Sequence, residues 1–147
     1  MIEGRLNNVP LPEPHVAGIL ASEVLRLIRP WSFSGSKRLY RGAGLTLVGD
    51  GVAITASAIR AASEVDLERA STLITGGPYA ISRNPMYVGW TLLYLGAALA
   101  TRNSWMVASL PVLAGLTHRE VLREEQALEE TFGEDYTRYR NQVGRYL

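Results

Sequence analysis

The chain contains no cysteine, only two histidines and two phenylalanines, and no uncharged run as long as the roughly 20 residues of a typical transmembrane helix. Without cysteine there are no disulfides, no thiolate metal ligands and no cysteine nucleophile. No metal is expected. The formal net charge is +1 and the basic residues are scattered, so there is no electrostatic case for a nucleic-acid partner. No strand pattern leads into a G-x-G-x-x-G. The glycine cluster Gly42, Gly44, Gly49 and Gly51 lies inside an apolar helical pattern instead, which argues against a dinucleotide fold and for close helix packing. The N-terminus has no basic segment followed by a long apolar run, so a cleaved signal peptide is not expected. Residues 2 to 5, IEGR, read as a protease recognition site and are set aside.

What is present is 147 residues, 47% of them apolar, enough for one domain spanning 1–147 with a single core. The gaps between charges define its organisation. Residues 42–59 carry one charge, Asp50, while 86–101 and 104–117 carry none. The last two are split by a short turn and predict an antiparallel hairpin of apolar helices, with Trp90, Tyr94 and Trp105 as interface anchors. Residues 15–31 are apolar but hold Glu23, Arg26 and Arg29, so they could span a membrane or lie in its interface. Prolines 10, 12, 14 and 30 bound that segment. From residue 118 the chain turns charged. Leu122, Glu125, Leu128 and Phe132 recur at helical spacing, Gly133 is a stop, and Tyr136, Tyr139 and Val143 suggest a further short helix. The expected fold is all-α: an integral membrane bundle of about four transmembrane helices, with a helical hairpin and a cytosolic C-terminal helical extension. Lys and Arg placement gives no orientation, and oligomeric state stays open. A soluble bundle, suggested by a mean hydropathy of +0.03, is the rival.

The most constrained stretch is residues 75–90, TGGPYAISRNPMYVGW. Gly76 and Gly77 allow positive φ, Pro78 fixes φ, and Pro85 biases Asn84 towards an extended conformation. Asn84 and Pro85 suit the N-cap and first turn of a helix. A loop, cap and helix need nothing more. Arg83, Tyr79 and Tyr87, however, are polar groups on a stiff scaffold at the mouth of an apolar layer, where an unpaired charge is costly. Glu124 and Glu125 in REEQAL are their candidate partners. Helical spacing puts Glu125 on a stripe with Leu122 and Leu128, and Glu124 with Thr117 and Val121. Asp50, isolated in an apolar span, is expected to pair with an arginine such as Arg83 or Arg26.

TGGPYAISRNPMYVG followed by REEQALEETFGEDYTRY resembles the isoprenylcysteine carboxyl methyltransferase and phospholipid methyltransferase family over residues 64–143. RNPMY is similar to a common bacterial variant of the motif. The resemblance implies a membrane-embedded enzyme that uses S-adenosyl-L-methionine, in a bacterial cytoplasmic membrane with the site facing the cytoplasm. It implies that Thr72, Leu73 and Ile74 run along the cofactor through their backbone. Tyr79, Pro85, Met86 and Tyr87 would line the pocket, and Glu124 would be the binding carboxylate. Ser71 and Asn84 stand where many members have histidine, and Glu64 replaces a glutamine. A substrate arginine would fall at Glu120, with Arg119 and Arg123 its nearest basic candidates.

The chemistry expected is methyl transfer to a lipophilic acceptor, the carboxylate of an isoprenylcysteine-like or other small lipophilic acid being favoured. Arg83 would order the loop through Glu124 or Glu125 or meet the cofactor, and Tyr87 would help hold the sulfonium end. An ionised carboxylate requires alignment and desolvation more than a base. If the acceptor were an amine or hydroxyl, as in a phospholipid N-methyltransferase, His118 or Glu125 would be candidate bases. His15 and His118 are otherwise expected to be satisfied or interfacial. A scaffold protein that keeps the fold without catalysis is the further alternative.

Overall fold

A computed structural model describes residues 13–68 and 72–147, with the backbone alone at 64–68. Among these residues there are five α-helices and no strand: α1 (Glu13–Ile28), α2 (Lys37–Glu68), α3 (Pro85–Thr101), α4 (Ser104–Phe132) and α5 (Glu134–Gln142). A 3-10 turn at Gly77–Ala80 precedes α3. The expected hairpin is α3 and α4, joined through Arg102 in the left-handed region (φ 56°) and Asn103, whose side chain caps α4 by accepting from the Trp105 amide.

The closest helix pair is α2 with α3, and glycine makes it so. Gly44 and Gly51 on α2 are seven residues apart and face Gly96 and Gly89 on α3, also seven apart and running the other way. A Cβ on Gly44 would lie 2.6 Å from the Gly96 carbonyl oxygen, and one on Gly89 would lie 2.1 Å from Thr55 Oγ1. The backbones touch where any side chain would separate them. Gly42 and Gly49 point elsewhere, with nothing within 4 Å of an added Cβ.

α1 lies against α4 and touches α3. The core cluster is Tyr94, Ala98, Met106 and Leu113, with Ala97, Val107 and Leu110 packed around it. At the end of the bundle remote from the motif loop, Trp31 meets Trp105 edge-on at 5.0 Å, and Trp105 Nε1 donates to the Arg29 carbonyl.

One helix among the described residues, over Lys37–Ser63, is long and apolar enough to cross a membrane. α1 and α3 have 16 and 17 residues, and only the first half of α4 is apolar, so each falls short of a full span taken singly. One local expectation is corrected. Asp50 is exposed and pairs with neither arginine, because Arg26 is held by Glu23 and Arg83 by Glu125. Leu122 is 42% exposed, and the buried stripe of α4 runs through Leu113, Thr117, Val121 and Glu125. Spacing fixed the period of that helix but not which face turns inward.

Candidate functional site

The motif loop, the middle of α4 and the C-terminal tail meet at one end of the bundle. Arg83 is the knot. Its Nε and Nη2 donate to Glu125 Oε1 at 3.1 and 3.0 Å, Nη2 also reaches Oε2 at 3.2 Å, and Nη1 donates to the carbonyls of Arg140 and Val143. The Arg83 and Glu125 side chains are each 8% exposed. Arg145 Nε donates to the other oxygen of Glu125 at 3.0 Å. Asn84 is buried and stands at the N-cap position of α3 without capping it. Its Nδ2 instead donates to Glu125 Oε1 and to the Arg145 carbonyl. Ser82 Oγ accepts from the Asn84 amide and donates to the Arg145 carbonyl, and the Arg83 amide donates to the Gly144 carbonyl. The loop is thus stapled to the tail through side chains and backbone together.

Burial alone would raise the pKa of Glu125. The hydrogen bonds from Arg145 and Arg83, with their charges, outweigh it and hold the carboxyl below the usual range. A carboxylate so enclosed is a brace.

Glu124, the next residue, differs. Tyr87 OH donates to its Oε1 at 2.6 Å, and no described group donates to Oε2. Burial, with the charge of Glu120 one turn away adding to it, raises the Glu124 pKa in spite of the Tyr87 bond. The same carboxylate acts on Tyr79, whose phenol is pushed up to about 12, chiefly by burial. Tyr79 is held from behind, its carbonyl accepting from Tyr139 OH at 2.6 Å. Pro85, Met86 and Tyr87 are buried in the first turn of α3. Thr72, Leu73 and Ile74 form an irregular, partly exposed strand of chain before the 3-10 turn, making no backbone bond to another described residue.

The fold therefore brings together Tyr79, Arg83, Asn84, Pro85, Met86, Tyr87, Glu124 and Glu125, with 72–74 leading into them. It does not gather the two substrate candidates: Arg119 is exposed, and Arg123 is exposed and paired with Glu120 at 2.8 Å. Ser71 lies outside the described residues, as does the side chain of Glu64. His118 is satisfied by Tyr146 OH at 2.8 Å. Sequence reasoning missed Arg145, Tyr146 and the tail carbonyls, because a tail that folds back has no periodicity to betray it.

A carboxylate and two tyrosines braced on a proline-fixed loop, at one end of a glycine-packed bundle, belong to an all-helical protein built on an α-helical hairpin. The family model for phospholipid methyltransferases matches residues 40–135, and the chain belongs to that family. Two curated relatives are called protein-S-isoprenylcysteine O-methyltransferase. The one from Tribolium castaneum is 32% identical over 83 residues, covering 54% of this chain and 30% of that protein. The human one is 34% identical over 73 residues, covering 49% and 26%. The chain thus matches under a third of the length of these relatives.

Proposed function

We propose that the chain is a membrane-embedded methyltransferase that binds S-adenosyl-L-methionine between its motif loop and α4 and methylates a lipophilic acceptor arriving from the bilayer. The observation that carries this is Glu124: a carboxylate with one oxygen held by Tyr87 and the other without a donor among the described residues, beside Tyr79 and next to the paired Arg83, Glu125 and Arg145. The cofactor has a cationic sulfonium and ammonium, a ribose and an adenine. Glu124 offers the anion, Tyr79 and Tyr87 the aromatic wall, and the backbone of 72–74 free hydrogen-bonding groups. The residues present therefore fit the group.

Bound there, the cofactor supplies an electrophilic methyl group. The protein's part is placement. Arg83, Asn84 and Arg145 lock the loop so that Tyr87 and Glu124 keep one geometry, which is the alignment an in-line displacement needs. Pro85 and Met86, buried in the first turn of α3, fix the direction in which Tyr87 leaves the helix toward Glu124.

The membrane placement rests on α2 and on apolar surface left uncovered elsewhere. Leu20, Leu27 and Ile28 on α1, Leu45 and Val52 on α2 and Val112 on α4 are all more than half exposed, a face suited to lipid. α1, α3 and the first half of α4 would sit in the bilayer with α2, making about four spans, with the motif loop and α5 at the cytoplasmic side of a bacterial membrane. The test is transfer of labelled methyl from S-adenosyl-L-methionine to lipid extract by detergent-purified protein. Solvent-extractable label that disappears in Glu124→Gln supports the proposal, and equal label in that variant refutes it.

A further inference from the structure

The end of the bundle remote from the motif loop carries charge that the site described above leaves unused. α1 ends there, α2 begins there and α3 turns into α4 there, since α2 and α3 run antiparallel. Arg26, Arg29, Lys37, Arg38, Arg41 and Arg102 gather at that end against one carboxylate, Glu23. Arg26 and Asn103 already hold Glu23. Arg102 is turned inward, donating to the Phe33 carbonyl and lying 5.9 Å over the Tyr40 ring. Arg29, Lys37, Arg38 and Arg41 are exposed, and none of them pairs with a carboxylate among the described residues.

These cations stand on a fixed platform. The chain between α1 and α2 is tied to the α3–α4 turn at several points: Trp105 Nε1 donates to the Arg29 carbonyl at 2.8 Å, the Ser104 amide donates to the Trp31 carbonyl at 3.2 Å, and Ser32 bridges to Asn103. Trp31 meets Trp105 edge-on at 5.0 Å, and Phe33 stacks on Tyr40 at 5.5 Å. The result is an aromatic rim of the kind that sits where a helical bundle meets lipid headgroups. The apolar stretch of α2 that is long enough to cross a membrane begins at Lys37, within this rim. Arg38, Leu45 and Val52 are spaced by seven and share one face of that helix, with Arg41 one turn after Arg38. Leu45 is 57% exposed and Val52 52%. Leu45 lies about 10 Å along the axis from Arg38, and Val52 about 21 Å.

Unpaired cations at the rim, followed down the same face by bare aliphatic side chains, fit a molecule with an anionic head and a hydrocarbon chain. A nucleic acid or an acidic peptide would meet the cations and leave Leu45 and Val52 bare. Building on the membrane placement proposed above, we infer that this end of the bundle binds an anionic phospholipid, its headgroup phosphate held by Arg38 and Arg41 and an acyl chain lying along Leu45 and Val52. The planar guanidinium fork matches phosphate oxygens two at a time. Arg29 and Lys37 add to the positive field that draws the headgroup in. The 17 residues of α3 separate this surface from the motif loop by about 25 Å. The bound lipid is therefore no methyl acceptor: it anchors the bundle in the leaflet opposite the motif loop.

The test uses the full chain carrying Trp90→Phe, which leaves Trp31 and Trp105, both at this end, as fluorescent reporters. In dodecylmaltoside micelles, brominated phosphatidylglycerol should quench them at about a tenth of the mole fraction that brominated phosphatidylcholine needs. That preference should shrink as sodium chloride is added. Arg38→Gln with Arg41→Gln should abolish it. Arg60→Gln with Arg119→Gln, which removes the same charge from exposed positions elsewhere, should leave it intact. Equal quenching by the two lipids overturns the inference, as does a preference that survives the first pair of substitutions or falls equally with the second. Recovery of the wild type in the aqueous fraction without detergent would sink the membrane placement itself, whereas a detergent-dependent protein indifferent to lipid charge sinks this site alone.

Discussion

Replacing Glu125 with alanine removes the acceptor on which Arg83, Asn84 and Arg145 all converge. Arg83, only 8% exposed at its side chain, would keep the Arg140 and Val143 carbonyls but lose its counter-charge. Breaking a buried ion pair by removing one partner costs about 3–5 kcal/mol. Two further donors are orphaned here, so we expect the upper part of that range. At about 2–4 °C per kcal/mol for a chain of this size, the melting temperature in detergent should fall by roughly 10 °C. Arg83→Ala should cost less, about 3 kcal/mol, since Arg145 still neutralises Glu125. The double variant should cost less than the sum, with a coupling of about 2–3 kcal/mol. Thermal unfolding of the four proteins under one detergent condition measures all of this. A Glu125→Ala protein within about 1 kcal/mol of wild type, or additive single variants, would refute the view that this pair staples the motif loop to the tail.

The remaining predictions use the same geometry. Glu125 has a lowered pKa in the fold, so its stabilisation is present above the unfolded carboxyl value of about 4.3 and is lost as pH falls through the lowered folded value; melting temperature against pH should drop on the acid side and flatten in Glu125→Ala. Glu124 has a raised pKa, so affinity for a cationic ligand should rise with pH as its carboxyl ionises above the usual carboxylate range, a trend absent from Glu124→Gln. Tyr87→Phe removes the hydroxyl that holds Glu124 and should weaken cofactor binding about 10-fold by calorimetry. Gly89→Val forces a Cβ into Thr55 and should destabilise by about 3 kcal/mol or abolish folding, whereas Gly49→Ala, with open space around it, should be neutral or slightly stabilising in the same unfolding assay.

Much of the architecture was legible because it follows from local rules. Charge gaps marked the helices, RNS marked the hairpin turn, and Gly133 ended α4 as a positive-φ stop (φ 53°). The pairing of Arg83 with Glu125 was one of several the sequence allowed, beside Glu124, Asp50 and the cofactor. What stayed hidden depends on facing and on long-range return. Gly44 and Gly51 pack against α3 while Gly42 and Gly49 do not, a difference in helical phase that a glycine cluster alone does not reveal. Asn84 has the residue type and position of a cap, yet its side chain turns to donate Nδ2 to the buried Glu125 carboxylate and accepts nothing from the first-turn amides of α3. Asp50 meets neither expected arginine, since Arg83 pairs with Glu125 and Arg26 with Glu23. His15 meets Thr91 through the packing of α1 across the hairpin, a contact between residues 76 apart that no motif spacing encodes.

The most direct test of the central claim is calorimetric titration of the detergent-purified chain with S-adenosyl-L-methionine, alongside Glu124→Ala of matched folding. We predict binding in the micromolar range for the wild type, about −8 kcal/mol, and none detectable in the variant. Wild-type affinity in Glu124→Ala, or no binding to folded wild-type protein, would contradict the account.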